Sequence, residues 1–385
     1  MTQIADRPLA DARAGEAEPA RPPAGIAGLG PNWFAAVMGT GIVATAGAAL
    51  PVHVPGLRVF ATVIWALAGI VLIVLTASCA ASWTRHPRRI REYLSDPVMA
   101  QFWGAPAMAL MTVGAGTLLL GRGFLGPAAA GVDWVLWSAG TALGLATSCW
   151  IPYLMMTRHD ITPDAAFGGW LMPVVPPMVS AATGALLIPY AGTGQGALTL
   201  LLACYAMFGI SLFASVVIIT QLWSRLVLHK AGSAVMVPTL WMVLGPLGQS
   251  VTAAGNLGTQ AAKVLPAPYS AGAAVFALLY GVPAWGFAMM WLALAAAITI
   301  RTARRGLPFA LTWWSFTFPV GTCVTGTIAL AGRSHSVVLL AAAVALYGLL
   351  LAAWLLVAAR TLHGSVTGRL FAPARSRGAQ QPGPA

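Results

Sequence analysis

Charged residues divide this 385-residue chain into nine long runs that contain no Asp, Glu, Lys or Arg. Eight of the runs contain 24 to 37 residues and one contains 60. Because an α-helix rises about 1.5 Å per residue, about 20 apolar residues cross the hydrocarbon core of a bilayer. Each short run therefore predicts one membrane-spanning helix, and the long run predicts two with a turn at 189–196. The runs are 22–57, 59–84, 97–121, 134–157, 165–224, 231–262, 264–300, 306–332 and 334–359.

The low charge content and the distribution of basic residues both fit a membrane protein. Only 8% of the residues are charged, whereas soluble domains carry about 25%. When the amino terminus is placed in the cytoplasm, 17 of the 21 Lys and Arg residues lie in cytoplasmic segments, and the other four are Arg58, Arg122, Lys263 and Arg333. The sequence therefore predicts a multi-pass protein of a bacterial-type inner (plasma) membrane with both termini cytoplasmic. Topology explains the net charge of +12, so a lipid bilayer rather than nucleic acid is the expected partner.

A repeat occurs in the odd-numbered spans, each of which combines aromatic residues, a proline, and then Gly, Ala, Ser and Thr. A glycine follows the proline after seven to nine residues in each case: Gly39 after Pro31, Gly114 after Pro106, Gly184 after Pro176, Gly255 after Pro246 and Gly326 after Pro319. Even-numbered spans such as 59–84 contain no proline and consist mainly of Leu, Val, Ala and Ile, as expected of helices that face lipid. Pro152 and Pro283 are exceptions.

The repeat predicts an all-α integral membrane protein with ten transmembrane helices in five tandem helical hairpins, five Pro-kinked inner helices around a central pore and five outer helices. This domain covers residues 25–363, between disordered cytoplasmic tails at 1–24 and 364–385 that are rich in Ala, Pro, Gly and charge. The predicted kinks are at Pro106, Pro176, Pro177, Pro246 and Pro319. Close helix packing explains any single proline as well, but five in register favour a pore.

Chemically reactive side chains are predicted to be absent from the membrane, because all nine carboxylates and all six histidines are expected in loops or tails. A proton relay, a metal site or an enzyme needs such groups at depth. The sequence therefore predicts no catalytic residue, no metal and no cofactor. Residues 39–44 match the dinucleotide-binding pattern G-x-G-x-x-G/A, but no acid lies between Glu18 and Glu92 to hold a ribose. The four cysteines show no paired spacing and are typical of small buried side chains.

A charge-free path lined by hydroxyl groups suits small anions or neutral polar solutes. For each lining candidate alone, a hydrogen bond to its own helix or a neighbouring one is an equally good interpretation. Any pH dependence is expected from the substrate's own protonation or from loop histidines such as His53 and His335. The lining candidates are Thr40, Thr112, Ser180, Thr183, Gln249, Ser250, Thr252, Asn256, Thr322 and Thr325.

Three segments resemble the tellurite-resistance/dicarboxylate transporter family: PNWFAAVMGTGIV from Pro31, WLMPVVPPMVSAATGAL from Trp170 and WWSFTFPVGTCVTG from Trp313. The family includes malic-acid permeases, sulfite efflux pumps and plant slow anion channels, and the resemblance extends to about His363. It implies five proline-bent inner helices around a pore, a phenylalanine gate on the ninth span, and a homotrimer with one pore in each subunit.

Carried onto this sequence, the resemblance implies that Phe318 is the pore gate. The residue before a proline is displaced from helical geometry, so Phe318 before Pro319 lies at a bend where its ring can project inward. Phe316 is the alternative gate, and Phe34 and Phe102 are candidate constrictions. Packing between helices is the plain interpretation of each ring.

The predicted function is transport of small anions, namely mono- or dicarboxylates such as malate, or sulfite, through a Phe-gated pore. Two alternatives stay open: a passive chloride or nitrate channel, and a membrane receptor or scaffold that transports nothing.

Overall fold

The computed structural model describes residues 29–371, and every regular element in that range is helical. Residues 1–28 and 372–385, which include most of the predicted tails, lie outside it. A turn precedes α8 as predicted, since that helix begins at Gln195. The α-helices are α1 (Phe34–Ala49), α2 (Leu57–Arg85), α3 (Arg88–Ser95), α4 (Gly104–Gly116), α5 (Arg122–Leu125), α6 (Ala128–Thr157), α7 (Pro176–Leu187), α8 (Gln195–His229), α9 (Leu244–Val264), α10 (Tyr269–Ala303), α11 (Phe318–Ser334) and α12 (Val337–Val366).

Seven helical segments of the described chain are long and apolar enough to cross a membrane. They confirm a multi-pass, all-helical membrane protein, while the ten-span arrangement remains a prediction. α1 and α7 contain only 16 and 12 residues, and α6 is not among the seven. The seven are Leu57–Arg85, Met99–Leu125, Gln195–His229, Ala234–Val264, Tyr269–Ala303, Leu311–Ser334 and Val337–Val366.

Apart from the short α3 and α5, the helices fall into two classes by burial, which we call inner (α1, α4, α7, α9 and α11) and outer (α2, α6, α8, α10 and α12). The segments that contain α4, α9 and α11 bury 61%, 83% and 78% of their most apolar 18 residues. The corresponding values for α2, α8, α10 and α12 lie between 17% and 33%. A helix that is apolar all round belongs in the interior of a membrane protein or core. The outer helices instead present a broad apolar face away from the molecule, as lipid requires.

The inner helices contact one another in a closed cycle. α1 packs against α4, α4 against α7, α7 against α9, α9 against α11, and α11 returns to α1. Each inner helix also packs against the outer helix that follows it in the chain, so that α2 covers α1, α6 covers α4, α8 covers α7, α10 covers α9 and α12 covers α11. The molecule therefore has an inner layer of five helices around a centre and an outer layer of five.

A 3-10 helical segment precedes each inner helix, and the prolines lie where this segment gives way to α-helix. Pro106 and Pro246 are the third residues of α4 and α9, Pro319 is the second of α11, and Pro176 and Pro177 open α7. In the first turn of a helix the missing proline N–H breaks no hydrogen bond. These prolines therefore begin α-helices rather than interrupt them. The five segments are Pro31–Trp33, Met99–Trp103, Gly168–Leu171, Ala234–Val243 and Leu311–Phe316.

Two glycines permit direct backbone contact around these 3-10 segments. A Cβ atom on Gly104, the first residue of α4, would overlap the backbone carbonyl of Met172. A Cβ atom on Gly168 would overlap the backbone carbonyl of Thr239 in the same way. At both glycines the backbones of neighbouring segments approach more closely than a side chain would allow. These contacts hold the amino ends of the inner helices together.

Asp133 corrects the expectation that every carboxylate lies in a loop or tail. It lies in the second turn of α6, is fully buried, and contacts Gly114 of α4. Neither carboxylate oxygen has a hydrogen-bond partner in the described chain. The prediction started this span at Trp134 because it divided the sequence at charged residues. The helix begins at Ala128, since residues 128–130 are alanines, the best helix formers.

The predicted boundary of the membrane domain at residue 363 falls inside a helix. α12 continues to Val366, and the chain then turns so that the ring of Phe371 stacks on Trp33, with 5.3 Å between centroids. Residues 364–371 are therefore part of the folded domain and cover the amino end of α1.

We predict that Gly104→Ala destabilises the protein, because the new methyl group has no room against the Met172 carbonyl. Overpacking of this kind costs about 1–3 kcal/mol. Gly209→Ala in α8 is the matched control, since its Cβ atom would meet nothing within 4 Å, and helix propensity should make it neutral or stabilising by up to about 1 kcal/mol. Thermal unfolding in detergent, followed by tryptophan fluorescence, measures both. Equal melting temperatures for the two variants would contradict the close backbone approach.

Candidate functional site

Two cavities lie along the centre of the inner ring. The amino-side cavity, about 30 Å³ in volume, is lined by residues near the amino ends of the inner helices, among them Met38, Phe102, Met108 and Trp314. The carboxyl-side cavity, about 180 Å³ in volume, is lined by residues one to three turns further along each inner helix. The two cavities follow one another along the inner helices, and we call the line through both of them the path.

Phe318 lies where the two cavities meet. Among the described residues it alone lines both, and only 3% of its surface is exposed. It is the first residue of α11 and is followed directly by Pro319. A proline restricts the backbone conformation of the residue before it. Pro319 therefore restricts the backbone of Phe318, the residue whose side chain lies between the cavities.

The other three aromatic candidates occupy different positions. Phe102 lines the amino-side cavity. Phe34 is buried at the start of α1 and lines neither cavity. Phe316 also lines neither, and its ring packs edge-on against Trp241 and Trp313 at centroid distances of 5.1 and 5.8 Å. Phe316 is thus held among aromatic rings at the end of a 3-10 segment.

A threonine from each inner helix lines the carboxyl-side cavity: Thr45, Thr112, Thr183, Thr252 and Thr325. Gln249 and Asn256 of α9 complete the polar lining. Sequence reasoning missed Thr45. The other four threonines follow a first-turn proline by six or seven residues, but α1 has no proline at that register, so the pattern does not extend to it.

Four lining candidates from the sequence lie between helices instead. The hydroxyl of Thr40 accepts a 3.1 Å hydrogen bond from Trp354 Nε1 of α12. Ser180 accepts one of 2.9 Å from Thr141 of α6, and Ser250 one of 2.7 Å from Tyr280 of α10. Thr322 donates to the carbonyl of Leu244 at 3.2 Å. These hydroxyl groups connect neighbouring helices and do not face the path.

No charged residue of the described chain lines either cavity. Asp133 lies behind the wall, because it contacts Gly114 while Thr112 and Ala115 of the same helix line the cavity. The described residues also contain no group of three or more His, Cys, Asp or Glu side chains that could hold a metal ion. The path therefore interacts with a solute through dipoles and apolar contacts.

Basic side chains lie at or just after the carboxyl ends of the inner helices. Arg58 donates to the carbonyl of Leu119 at 3.3 Å, and Leu119 lines the carboxyl-side cavity. Arg122 donates to the hydroxyl of Tyr190 at 2.9 Å, and Arg333 donates to the carbonyl of Gly255 at 2.6 Å. Cations near helix carboxyl ends offset the negative end of the helix dipole. An anion at this mouth therefore meets positive charge.

Comparisons with known proteins cover almost the whole described chain. The family model described as SLAC1, voltage-dependent anion channel, matches residues 28–362. Sulfite efflux pumps SSU1 of Arthroderma otae and Trichophyton rubrum are each 29% identical over 357 residues, which cover 90% of this chain and 93% of theirs. An uncharacterised transporter of Methanocaldococcus jannaschii is 26% identical over 343 residues, covering 88% of this chain and 96% of its own. The family resemblance read from the sequence is confirmed, and the chain belongs to the SLAC1 voltage-dependent anion channel family of membrane transporters and channels.

Proposed function

We propose that this protein moves small monovalent oxyanions across a membrane along the path formed by the two cavities, and that the ring of Phe318 gates it. The observation that carries the proposal is the position of Phe318 as the residue shared by both cavities. An aromatic ring at that point blocks the path, and a change of its rotamer or of the Phe318–Pro319 backbone opens it.

Electrostatics favour anions over cations on this path. Cation pathways commonly carry rings of Asp or Glu, and the described lining contains neither. The inner helices point their amino ends, which carry the positive end of the helix dipole, towards the amino-side cavity. Arg58, Arg122 and Arg333 supply positive charge at the other mouth.

The lack of a charged lining residue also limits how much negative charge the path accommodates. Each ion loses hydration when it leaves water, and an unpaired charge in a poorly polar site is costly. A dianion carries twice the charge with no cation to balance it. Sulfite-type monoanions and monocarboxylates therefore suit the path better than dianionic dicarboxylates. The sulfite efflux relatives support the same choice.

A second candidate function is passive conduction of chloride or nitrate, which the family description as an anion channel favours. Flux assays in liposomes with chloride, nitrate, sulfite, malate and succinate, with and without a proton gradient, separate the candidates. Oxyanion transport predicts sulfite flux well above chloride flux. Passive conduction predicts similar rates for chloride and nitrate, and these rates should not depend on the proton gradient. A folded protein that moves none of these anions would exclude both candidates.

The proposed topology has ten spans, both termini in the cytoplasm, and one pore in each subunit of a homotrimer. In support, the short helices α1 and α7 occupy the same place in the inner cycle as α4, α9 and α11, and α6 occupies the same place in the outer layer as α2. 3-10 structure extends α1 directly at its amino end and lies four residues before α7.

We predict that Phe318→Ala raises anion flux in liposomes. Displacing a ring from its rotamer costs about 0.5–1.5 kcal/mol before its packing contacts are counted, so removing it should raise the rate roughly tenfold or more. Phe213→Ala is the matched control, because that ring lies on the outer helix α8 with 74% of its surface exposed. Flux per folded molecule of Phe318→Ala equal to that of wild type would remove the gate assignment.

We predict the opposite result for Phe316→Ala. Loss of a buried phenylalanine ring costs about 3–5 kcal/mol of stability, and Phe316 packs against Trp241 and Trp313 away from both cavities. The variant should melt at a lower temperature while its flux per folded molecule does not rise. A large rise in flux would transfer the gate to Phe316.

A further inference from the structure

The threonines of the carboxyl-side cavity have already used their hydroxyl protons. Thr45, Thr112 and Thr183 each donate to a carbonyl of their own helix, and a carbonyl oxygen can only accept, so the direction of these three bonds is fixed. Thr252 and Thr325 lie within reach of such carbonyls and of each other, so their two protons are taken up by these contacts. The distances are 3.4 Å for Thr45 to Ile42, 2.7 Å for Thr112 to Met108, 2.8 Å for Thr183 to Val179, 3.0 Å for Thr252 to Gly248 and 3.1 Å for Thr325 to Thr322. The cavity therefore receives oxygen lone pairs from these residues and no O–H donors.

Three of these oxygens have free acceptor capacity. Thr252 and Thr325 are 2.8 Å apart and share a hydrogen bond. Thr45, Thr112 and Thr183 accept no hydrogen bond from the described residues. Since a hydroxyl oxygen has two lone pairs, each of these three can accept a hydrogen bond from a solute in the cavity.

Gln249 supplies the complementary group. Its side chain is 4% exposed and lines the cavity, and its amide makes no hydrogen bond within the described chain. An amide carries two N–H donors whichever way it is turned. Asn256, in contrast, already donates to the carbonyl of Ala182 at 3.1 Å. Gln249 thus has two N–H groups without a hydrogen-bond partner in a cavity where the threonines supply only acceptors.

We propose that the carboxyl-side cavity is a binding site for monovalent oxyanions that carry their own hydroxyl group, such as hydrogensulfite or a hydroxycarboxylate. The charged oxygens of the solute accept from the Gln249 amide, and its O–H donates to a threonine oxygen. The inference rests on the proposed function and adds the chemical class of the substrate.

The same site discriminates against anions that have no O–H. Chloride, nitrate or a simple carboxylate has no O–H group to donate to the threonine oxygens. Its negative charge would therefore lie against their lone pairs. A buried polar group left without its partner costs about 1–3 kcal/mol. The preference therefore comes from acceptors that an ordinary anion cannot satisfy.

Glycolate and propionate test the inference as a matched pair. Both are monovalent at neutral pH and contain the same number of heavy atoms, but glycolate has a hydroxyl group where propionate has a methyl group. The full-length protein in liposomes is assayed for uptake of each, and the rates in protein-free liposomes are subtracted. We expect wild type to prefer glycolate by roughly threefold to tenfold, the effect of about one net hydrogen bond.

Two substitutions at Thr183 distinguish hydrogen bonding from shape. Thr183→Val keeps the volume but removes the oxygen, and it should reduce the glycolate-to-propionate ratio by roughly threefold or more. Thr183→Ser keeps the oxygen and should retain the ratio. Thr220→Val on the exposed face of α8, where the hydroxyl bonds only to Val216, is the control and should leave the ratio unchanged.

Gln249→Met tests the donor, since it removes the amide at similar size and should slow both anions. Equal wild-type rates for glycolate and propionate would overturn the inference while leaving anion transport itself intact. A ratio that stays unchanged when Thr45, Thr112 and Thr183 are each replaced by Val in turn would also overturn it. Absence of flux for every anion, in a protein that melts cooperatively, would instead defeat the proposed function.

Discussion

A polypeptide in hydrocarbon must satisfy its own polar groups, and this requirement determines most of the molecule. Backbone groups are satisfied by helices, and prolines occur in the first turn of four inner helices, where no hydrogen bond is lost. Side-chain hydroxyls follow the same rule, because Thr112 and Thr183 in the cavity donate to carbonyls of their own helices. The polar lining of the path consequently consists mainly of hydroxyl oxygens that accept hydrogen bonds, whereas the amide of Gln249 can donate hydrogen bonds to an anion.

The position of Phe318 follows from the same architecture. Each inner helix changes from 3-10 to α-helix near its amino end, and α11 makes this change at the Phe318–Pro319 pair. The rings of Phe316 and Trp313 before the change pack among aromatic neighbours, whereas the Phe318 ring lies between the cavities. The Phe318–Pro319 junction therefore separates rings that pack among aromatic neighbours from the ring that lines both cavities.

Sequence patterns were sufficient for features that depend on composition along the chain. Uncharged runs located the apolar helices, while the ten-span arrangement suggested by the spacing of proline and glycine remains a prediction. Patterns could not give the rotation of each inner helix, because such helices are apolar all round and show no polar face. For this reason Thr40, Ser180, Ser250 and Thr322 were grouped with the lining, and Thr45 was missed. Asp133 was assigned to a loop because the prediction ended each span at a charged residue, and this rule cannot recognise a carboxyl group buried inside a helix.

The central claim is that a path without charged lining residues conducts anions once the ring of Phe318 is removed. The most direct measurement is the reversal potential of a planar bilayer that contains the Phe318→Ala protein, with sodium hydrogensulfite at different concentrations on the two sides. The account predicts a reversal potential close to the equilibrium potential of the anion. A value close to the sodium equilibrium potential, or a current that does not distinguish the two ions, would contradict it.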